Sequence, residues 1–219
     1  MLHVASLSPH WISRGSYLVI ITLGVLGALG CQRTEKAHAS GGSPAALIAA
    51  RLTDQAGDSH QFADFQGKTV VLSFFFASCP SVCPRETRAL AEVRNRLSPA
   101  LKRRVQFLSL TVDPDNDSPE KLKSFAQANG ADLNGWSFVR ASAPETSALT
   151  KELEVFGDPK RAQAAPVGHG TSIYLFDGRG HLMQRYAGSP LDVARLAREI
   201  AQLDDWFLTQ EPERNTARL

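Results

Sequence analysis

Apolar residues recur along the chain in a pattern that alternates between strands and helices. Residues 69–77, TVVLSFFFA, form a continuous β-branched and aromatic run, which is typical of a strand buried on both faces. Residues 104–113, RVQFLSLTVD, form a second such run, and Leu90, Val93 and Leu97 recur between the two at helical spacing. A strand, a helix and a second strand in this order predict two parallel strands joined by a crossover.

The rest of the pattern extends this unit. Residues 47–65 alternate weakly and predict short strands or a hairpin. Further elements are expected in chain order: a helix opened by Ser118 and Pro119, a strand in WSFVRA, a helix over 144–156, two strands joined by a turn at 177–180, and a last helix opened by Ser189 and Pro190. This order of strands and helices predicts an α/β, thioredoxin-like fold, in which helices flank a mixed central sheet.

The N-terminal segment differs from the rest of the chain. Residues 17–30, YLVIITLGVLGALG, are almost wholly apolar and end at Cys31. The run is shorter than the roughly 20 residues of a spanning helix and suits a signal peptide. Small residues at 28 and 30 resemble a bacterial lipobox, in which Cys31 would be lipidated, and a short membrane anchor is the alternative. We therefore expect a domain exported to the periplasmic face of the cell inner membrane and anchored there.

Composition sets the remaining boundaries. Residues 32–46 are polar and rich in small residues, which is typical of a flexible linker. We expect one domain over 47–208 and a polar C-terminal tail over 209–219. The net charge of +2 is spread over both signs, so the chain has no basic stripe for a nucleic-acid partner.

Two of the three cysteines lie in one short motif, CPSVC, directly after the predicted central strand. In a thioredoxin-like fold, Cys79 and Cys83 would reach the start of the next helix, where backbone N–H groups favour the thiolate. Residues four apart on a helix have Cβ atoms about 5 to 6 Å apart, which is wide for a disulfide and suitable for a shared metal. A redox pair and a structural disulfide remain alternatives.

A metal held by two thiolates needs a further ligand. His169 is the best candidate, because it follows a flexible loop and directly precedes a predicted strand. His60 and His181 are expected to be surface residues. Thiolate and imidazole ligands suit copper, chiefly Cu(I) with Cu(II) as a second state, and they also suit zinc.

Three motifs, SFFFASCPSVCP, SLTVDPDNDSPEKL and VGHGTSIYLFDGRG, resemble those of the Sco/SenC family of membrane-anchored copper chaperones with a thioredoxin fold. The resemblance implies copper ligands at Cys79, Cys83 and His169. It also implies a role beside the ligands for Asp113, for which a simple turn former is the alternative. The implied client is the binuclear copper site of cytochrome c oxidase subunit II or another exported copper protein, with a separate copper donor.

Two functions follow from these residues. The first is a metallochaperone that is not an enzyme and passes copper on by ligand exchange. The second is a thiol–disulfide oxidoreductase, in which Cys79 attacks, Cys83 resolves, and cysteines of an exported copper protein are reduced. A peroxidase is a third hypothesis. The absence of a peroxide-activating Arg and Thr cluster before Cys79 argues against it.

Overall fold

A mixed β-sheet with helices around it organises the part of the chain that the structure describes. The structure is a computed structural model, which describes the backbone of residues 42–156 and 171–216 and side chains as far as residue 210. These residues all belong to one compact unit, His38–Leu219. The predicted signal segment with Cys31, residues 32–41 of the predicted linker and the segment with His169 lie outside the described residues.

The sheet has seven described strands in the order β2-β1-β5-β4-β3-β6-β7. Strand β3 pairs in parallel with β4, and β4 pairs in parallel with β5, whereas the other neighbours are antiparallel. The strands are β1 (Arg51–Asp54), β2 (Ser59–Gln61), β3 (Thr69–Phe75), β4 (Val105–Thr111), β5 (Trp136–Arg140), β6 (Ser172–Phe176) and β7 (Leu182–Ala187). The predicted parallel pair and the two hairpins are confirmed.

The two central strands, β3 and β4, carry the core of the domain. All seven residues of each strand are buried, as their continuous apolar runs predict. Two of their polar residues are hydrogen-bonded within the core: the hydroxyls of Ser73 and Ser109 lie 2.8 Å apart, and Trp136 Nε1 donates to Ser109 Oγ at 3.0 Å. Buried polar groups that are hydrogen-bonded in this way cost the core little.

Six α-helices and one short 3-10 helix, Phe62–Phe65, surround the described sheet. The α-helices are α1 (Ala45–Ala49), α2 (Val82–Arg96), α3 (Pro99–Arg104), α4 (Pro119–Ala128), α5 (Ala143–Glu152) and α6 (Val193–Thr216). Ser98, Ser118 and Ser142 each cap a helix whose first turn contains a proline, and each side chain accepts a backbone N–H. Helices α2, α4 and α5 confirm the sequence pattern, while α1 and α3 were not predicted.

The last helix corrects one prediction. It begins at Val193, and not at Ser189 and Pro190, which form a turn with a cis peptide bond between them. Asp192 takes over the capping role, because its side chain accepts the N–H of Arg195 at 2.9 Å. The helix continues as far as Thr216, into the segment expected to be a polar tail. Among the described helices, none combines the length and the apolar character needed to cross a bilayer.

Candidate metal centre

The cysteine motif lies where the central strand β3 passes into helix α2. Strand β3 ends at Phe75, and α2 begins at Val82, so the helix contains Cys83 but not Cys79. The spacing of four residues predicts both cysteines on one helical face, and this is wrong for Cys79, which precedes the helix. The backbone N–H of Cys83 instead donates to Cys79 Sγ at 3.3 Å, so the loop folds back over the first turn of α2. The helical spacing therefore does not argue against a disulfide.

Both cysteines of the motif are buried and are not joined by a disulfide, and their environments differ. Cys79 is 9% exposed and Cys83 is 2% exposed. Burial raises the pKa of Cys79, but hydrogen bonds from the Cys83 thiol and from the backbone at Ser81, Val82 and Cys83 outweigh it, so the pKa of Cys79 is lowered. Burial, together with the hydrogen bond to Cys79, raises the pKa of Cys83 well above its ordinary value.

A buried glutamate lies one helical turn beyond the second cysteine. Glu86 is 5% exposed, and no hydrogen-bond partner reaches its Oε2 atom. Burial raises the pKa of Glu86 from 4.5 to about 8, so the carboxyl group is largely neutral at pH 7. A buried carboxyl oxygen without a hydrogen-bond partner, one helical turn from a thiol, is unusual, because buried polar groups in proteins are nearly always hydrogen-bonded.

The Glu86 carboxyl group fits against the hairpin of β6 and β7 because residue 188 is glycine. A Cβ atom added at Gly188 would overlap Glu86 Oε2 and would lie 3.1 Å from the backbone carbon of Thr171. Thr171 directly precedes β6 and accepts the N–H of Gly188 at 2.7 Å. The carboxyl group is therefore next to the place where the chain that follows His169 enters the sheet.

Asp113 and Asp117 lie in one loop after β4 and make different contacts. Asp113 begins a turn, in which its side chain accepts from Asn116 Nδ2 at 2.9 Å. Asp117 is 2% exposed, and its Oδ2 atom accepts the N–H of Ala77 at 3.0 Å and the hydroxyl of Thr111. Asp117 thus ties the start of the cysteine loop to the end of β4, and sequence reasoning missed it.

The histidines that the structure describes stand apart from the thiols. His60 Nε2 contacts Asp54 Oδ2 at 3.1 Å, and His181 Nδ1 contacts Asp177 Oδ2 at 3.3 Å. Both serve their own turns and are partly exposed, as expected. In the described ranges no group of three or more His, Cys, Asp and Glu side chains is arranged to hold a metal. A third ligand for the cysteine pair remains a prediction at His169.

The donor set fits a soft metal ion. Two thiols lie in hydrogen-bond contact, and one of them is already favoured as the thiolate. Thiolates select Cu(I) and zinc over hard ions, and the surrounding apolar core keeps water from the sulfur atoms. The same pair suits thiol–disulfide exchange, because an attacking thiol with a lowered pKa stands beside a second thiol.

A cysteine pair between the central strand and its following helix, in a mixed sheet of this order, defines a thioredoxin-like thiol protein. The family model described as SCO1/SenC matches residues 44–205. The chain belongs to the SCO1/SenC family, as its three motifs predict.

Relatives agree with this assignment. The mitochondrial protein SCO2 homolog of Bos taurus is 31% identical over 141 residues, which is 62% of this chain and 52% of that protein. The chain therefore spans about half of this relative. A solved SCO1/SenC family lipoprotein from Bacillus anthracis str. Ames is 31% identical with a TM-score of 0.60, over 71% of this chain and 94% of that chain. The structure of Bradyrhizobium japonicum ScoI with copper bound, at 20% identity and a TM-score of 0.59, shares the fold over 75% of this chain and 99% of that chain.

Proposed function

We propose that this protein is a copper-binding chaperone for the binuclear copper site of cytochrome c oxidase subunit II. Cys79, Cys83 and His169 are its copper ligands in this proposal. The observation that carries it is the pair of buried thiols beside the first turn of α2, which are not joined by a disulfide and lie in hydrogen-bond contact. Family membership supports it, since a related ScoI structure holds copper.

The residues around the thiols suit a metal that must be held and then released. Copper supplies a soft Lewis acid, for which the Cys79 thiolate is the first ligand. Cys83 must lose its proton before it binds, because burial keeps its pKa raised. Cys79 is the more exposed of the two cysteines, so an incoming ligand from a client protein would reach it first.

The partners and location follow from the same proposal. The client is subunit II or another exported copper protein, and a separate donor supplies the copper. The N-terminus anchors the domain to the inner membrane from the periplasmic side, through a lipid on Cys31 or through a short helix over 1–31. A SCO1/SenC family lipoprotein among the related structures supports an anchored, exported protein.

A second candidate function is the reduction of client cysteines. It is favoured by the contrast between Cys79, with its lowered pKa, and the deeper Cys83. The Cys79 thiolate would attack a client disulfide and form a mixed disulfide, releasing one client thiolate. The Cys83 thiolate, after losing its proton, would then attack the Cys79 sulfur and displace the second client thiolate, which leaves a Cys79–Cys83 disulfide.

An anaerobic Cu(I) titration of the reduced full chain in detergent tests the first function. We expect one tightly bound copper per chain, and no tight binding after Cys79→Ser or Cys83→Ser. Lys123→Ser serves as the control, because Lys123 is exposed on α4 outside the cysteine motif, and this variant should bind copper normally. Absence of tight binding together with rapid reduction of a disulfide substrate would replace the chaperone with the oxidoreductase.

A further inference from the structure

Large apolar side chains that remain exposed are gathered at one end of the domain. Where side chains are described, four such residues stand out: Ile48 at 48%, Met183 at 40%, Trp206 at 43% and Leu208 at 45% exposure. Scattered single residues of this kind need no explanation, but a shared location does. The turn at 177–180 between β6 and β7 marks this location, and we call this end of the sheet the turn end.

Two of the four residues adjoin the turn directly. Ile48 lines a shallow depression together with Arg179, Gly180 and Phe62. Met183 is the second residue of β7, which begins at Leu182 immediately after the turn. Both side chains are therefore at the rim of the turn end.

The other two residues are carried to the same end by helix α6. The ring of Phe207 packs on Gly178, where an added Cβ atom would lie 2.5 Å from Phe207 Cζ. The guanidinium of Arg179 lies over the same ring, 5.2 Å from its centroid. Trp206 and Leu208 flank Phe207 in the sequence, and α6 continues past this point to Thr216.

The chain also enters the described fold at the turn end. Ser43 Oγ lies 3.4 Å from the position of an added Cβ atom at Gly180. Residues 1–41 precede this point, and they include the segment proposed to anchor the protein. A chain that comes from a membrane therefore meets the domain on the side where its exposed apolar residues lie.

The cysteines lie at the opposite end of the sheet. Strand β6 pairs antiparallel with β3, with Val70 opposite Phe176, so the turn lies beside the start of β3. Strand β3 is seven residues long, so its two ends lie about 20 Å apart at roughly 3.3 Å per residue, and Cys79 follows the far end. A surface that contacts the turn end leaves the thiols accessible.

We propose that the turn end is a lipid-contacting surface, on which Ile48, Trp206 and Leu208 rest in the headgroup region of the phospholipid bilayer. Tryptophan together with aliphatic residues is typical of protein surfaces at a membrane interface, because the indole is amphipathic. The tether alone would hold the domain near the bilayer in any orientation, and this contact fixes one. The inference rests on the proposed anchoring, and it turns the cysteine pair away from the bilayer, towards protein clients.

Tryptophan fluorescence tests this contact. The full chain with Trp11→Phe keeps Trp206 and the fully buried Trp136 as its tryptophans. It is reconstituted into vesicles of phosphatidylethanolamine and phosphatidylglycerol, with or without bromine on the acyl chains. We expect bromine to quench Trp206 emission by about half, since interfacial apolar groups lie roughly 5–10 Å into the headgroup and acyl boundary. A companion with Trp206→Phe reports Trp136 alone and should show little quenching.

Two variants sharpen the test. Ile48→Ser with Leu208→Ser should relieve the quenching, while Lys123→Ser, at an exposed position of α4, should not. Absence of bromine quenching, or quenching that is unchanged in the double variant, would overturn the contact. A Trp206 that is shielded from aqueous acrylamide but not quenched by bromine would also overturn it, because a protein segment would then cover the indole.

Copper binding on the same vesicles separates this inference from the proposed function. It should survive the double variant, because the thiols lie at the other end of the sheet. Normal quenching without copper binding would overturn the function and leave the contact standing. A full chain that does not remain with the vesicles would overturn both the anchoring and the contact.

Discussion

Two buried carboxyl groups, Asp54 in the β1–β2 hairpin and Glu86 next to the cysteine motif, differ in their hydrogen bonding and in the direction of their pKa shift. Asp54 is 6% exposed and accepts the N–H groups of Ala56 at 2.8 Å and Asp58 at 3.0 Å, and it contacts His60 at 3.1 Å. Burial raises the pKa of Asp54, but these hydrogen bonds outweigh it, so the pKa is lowered. Glu86 is 5% exposed and has one orphaned oxygen, and burial raises its pKa to about 8.

The contrast distinguishes a structural carboxylate from one that the fold leaves unsatisfied. The charged carboxylate of Asp54 accepts the hydrogen bonds that close its hairpin turn. Glu86 is instead neutral, and its burial with an unpartnered oxygen lowers the stability of the fold. Such a loss of stability is typical of functional sites. The cysteine region thus contains a buried carboxyl oxygen for which the described fold provides no hydrogen-bond partner.

The largest expected effect is the pH dependence caused by Glu86. Its pKa in the folded state lies above its unfolded value of 4.5, so its contribution to stability is fully present below pH 4.5 and is lost as the pH rises through about 8. At about 1.4 kcal/mol per pKa unit, the free energy of unfolding should fall by up to about 5 kcal/mol between pH 4 and 9.

Urea unfolding across this pH range measures the effect, with Glu86→Gln as the comparison. Both proteins carry serine at 79 and 83, so that thiol titration does not contribute. The glutamine variant should lack the alkaline loss. Parallel curves for the two proteins would mean that Glu86 is already charged and satisfied.

The next effect comes from glycines, which the two regions need for different reasons. Gly188→Ala should cost about 1–3 kcal/mol, because the new methyl group overlaps the Glu86 carboxyl group. Gly57→Ala in the hairpin should cost about 1 kcal/mol, because Gly57 has a φ of +90° and no atoms near its Cβ position.

A double-mutant cycle separates these causes. Glu86→Ala should relieve most of the cost of Gly188→Ala and none of the cost of Gly57→Ala. Thermal unfolding of the four proteins of each cycle provides the two coupling energies. Additive effects of Glu86→Ala and Gly188→Ala would refute the close packing between these two residues.

The smallest expected effect is the acid dependence of the hairpin. Because the pKa of Asp54 is lowered by folding, its contribution is present above pH 4 and is lost as the pH falls through its folded value. Asp54→Asn should cost about 1 kcal/mol at pH 7 and should flatten the curve below pH 4. An unchanged acid limb of the unfolding curve would show that other carboxylates dominate it.

Local sequence signals predicted the elements but not every boundary. The continuous runs of β3 and β4 and the Ser-Pro pair at 118–119 gave correct predictions, since each signal acts within its own segment. The same Ser-Pro pair at 189–190 failed, because Asp192 caps α6 and the two residues form a turn instead. A local pattern cannot decide between two capping residues that lie three positions apart.

The site was predictable in its thiols but not in its carboxyl groups. Glu86 lies between Cys83 and Leu90 on the buried stripe of α2, and helical periodicity alone could have revealed a carboxyl group facing the core. Asp113 and Asp117 look equivalent in the sequence VDPDND. Only the contact of Asp117 with Ala77, forty residues away, distinguishes them, and such a contact depends on tertiary structure.

The most direct test of the proposed function is X-ray absorption at the copper edge of the Cu(I)-loaded full chain, with His169→Ala measured alongside. We expect two sulfur ligands and one nitrogen ligand per copper, and loss of the nitrogen with both sulfurs kept in the variant. An unchanged nitrogen signal in His169→Ala, or a single sulfur in the unaltered protein, would contradict it.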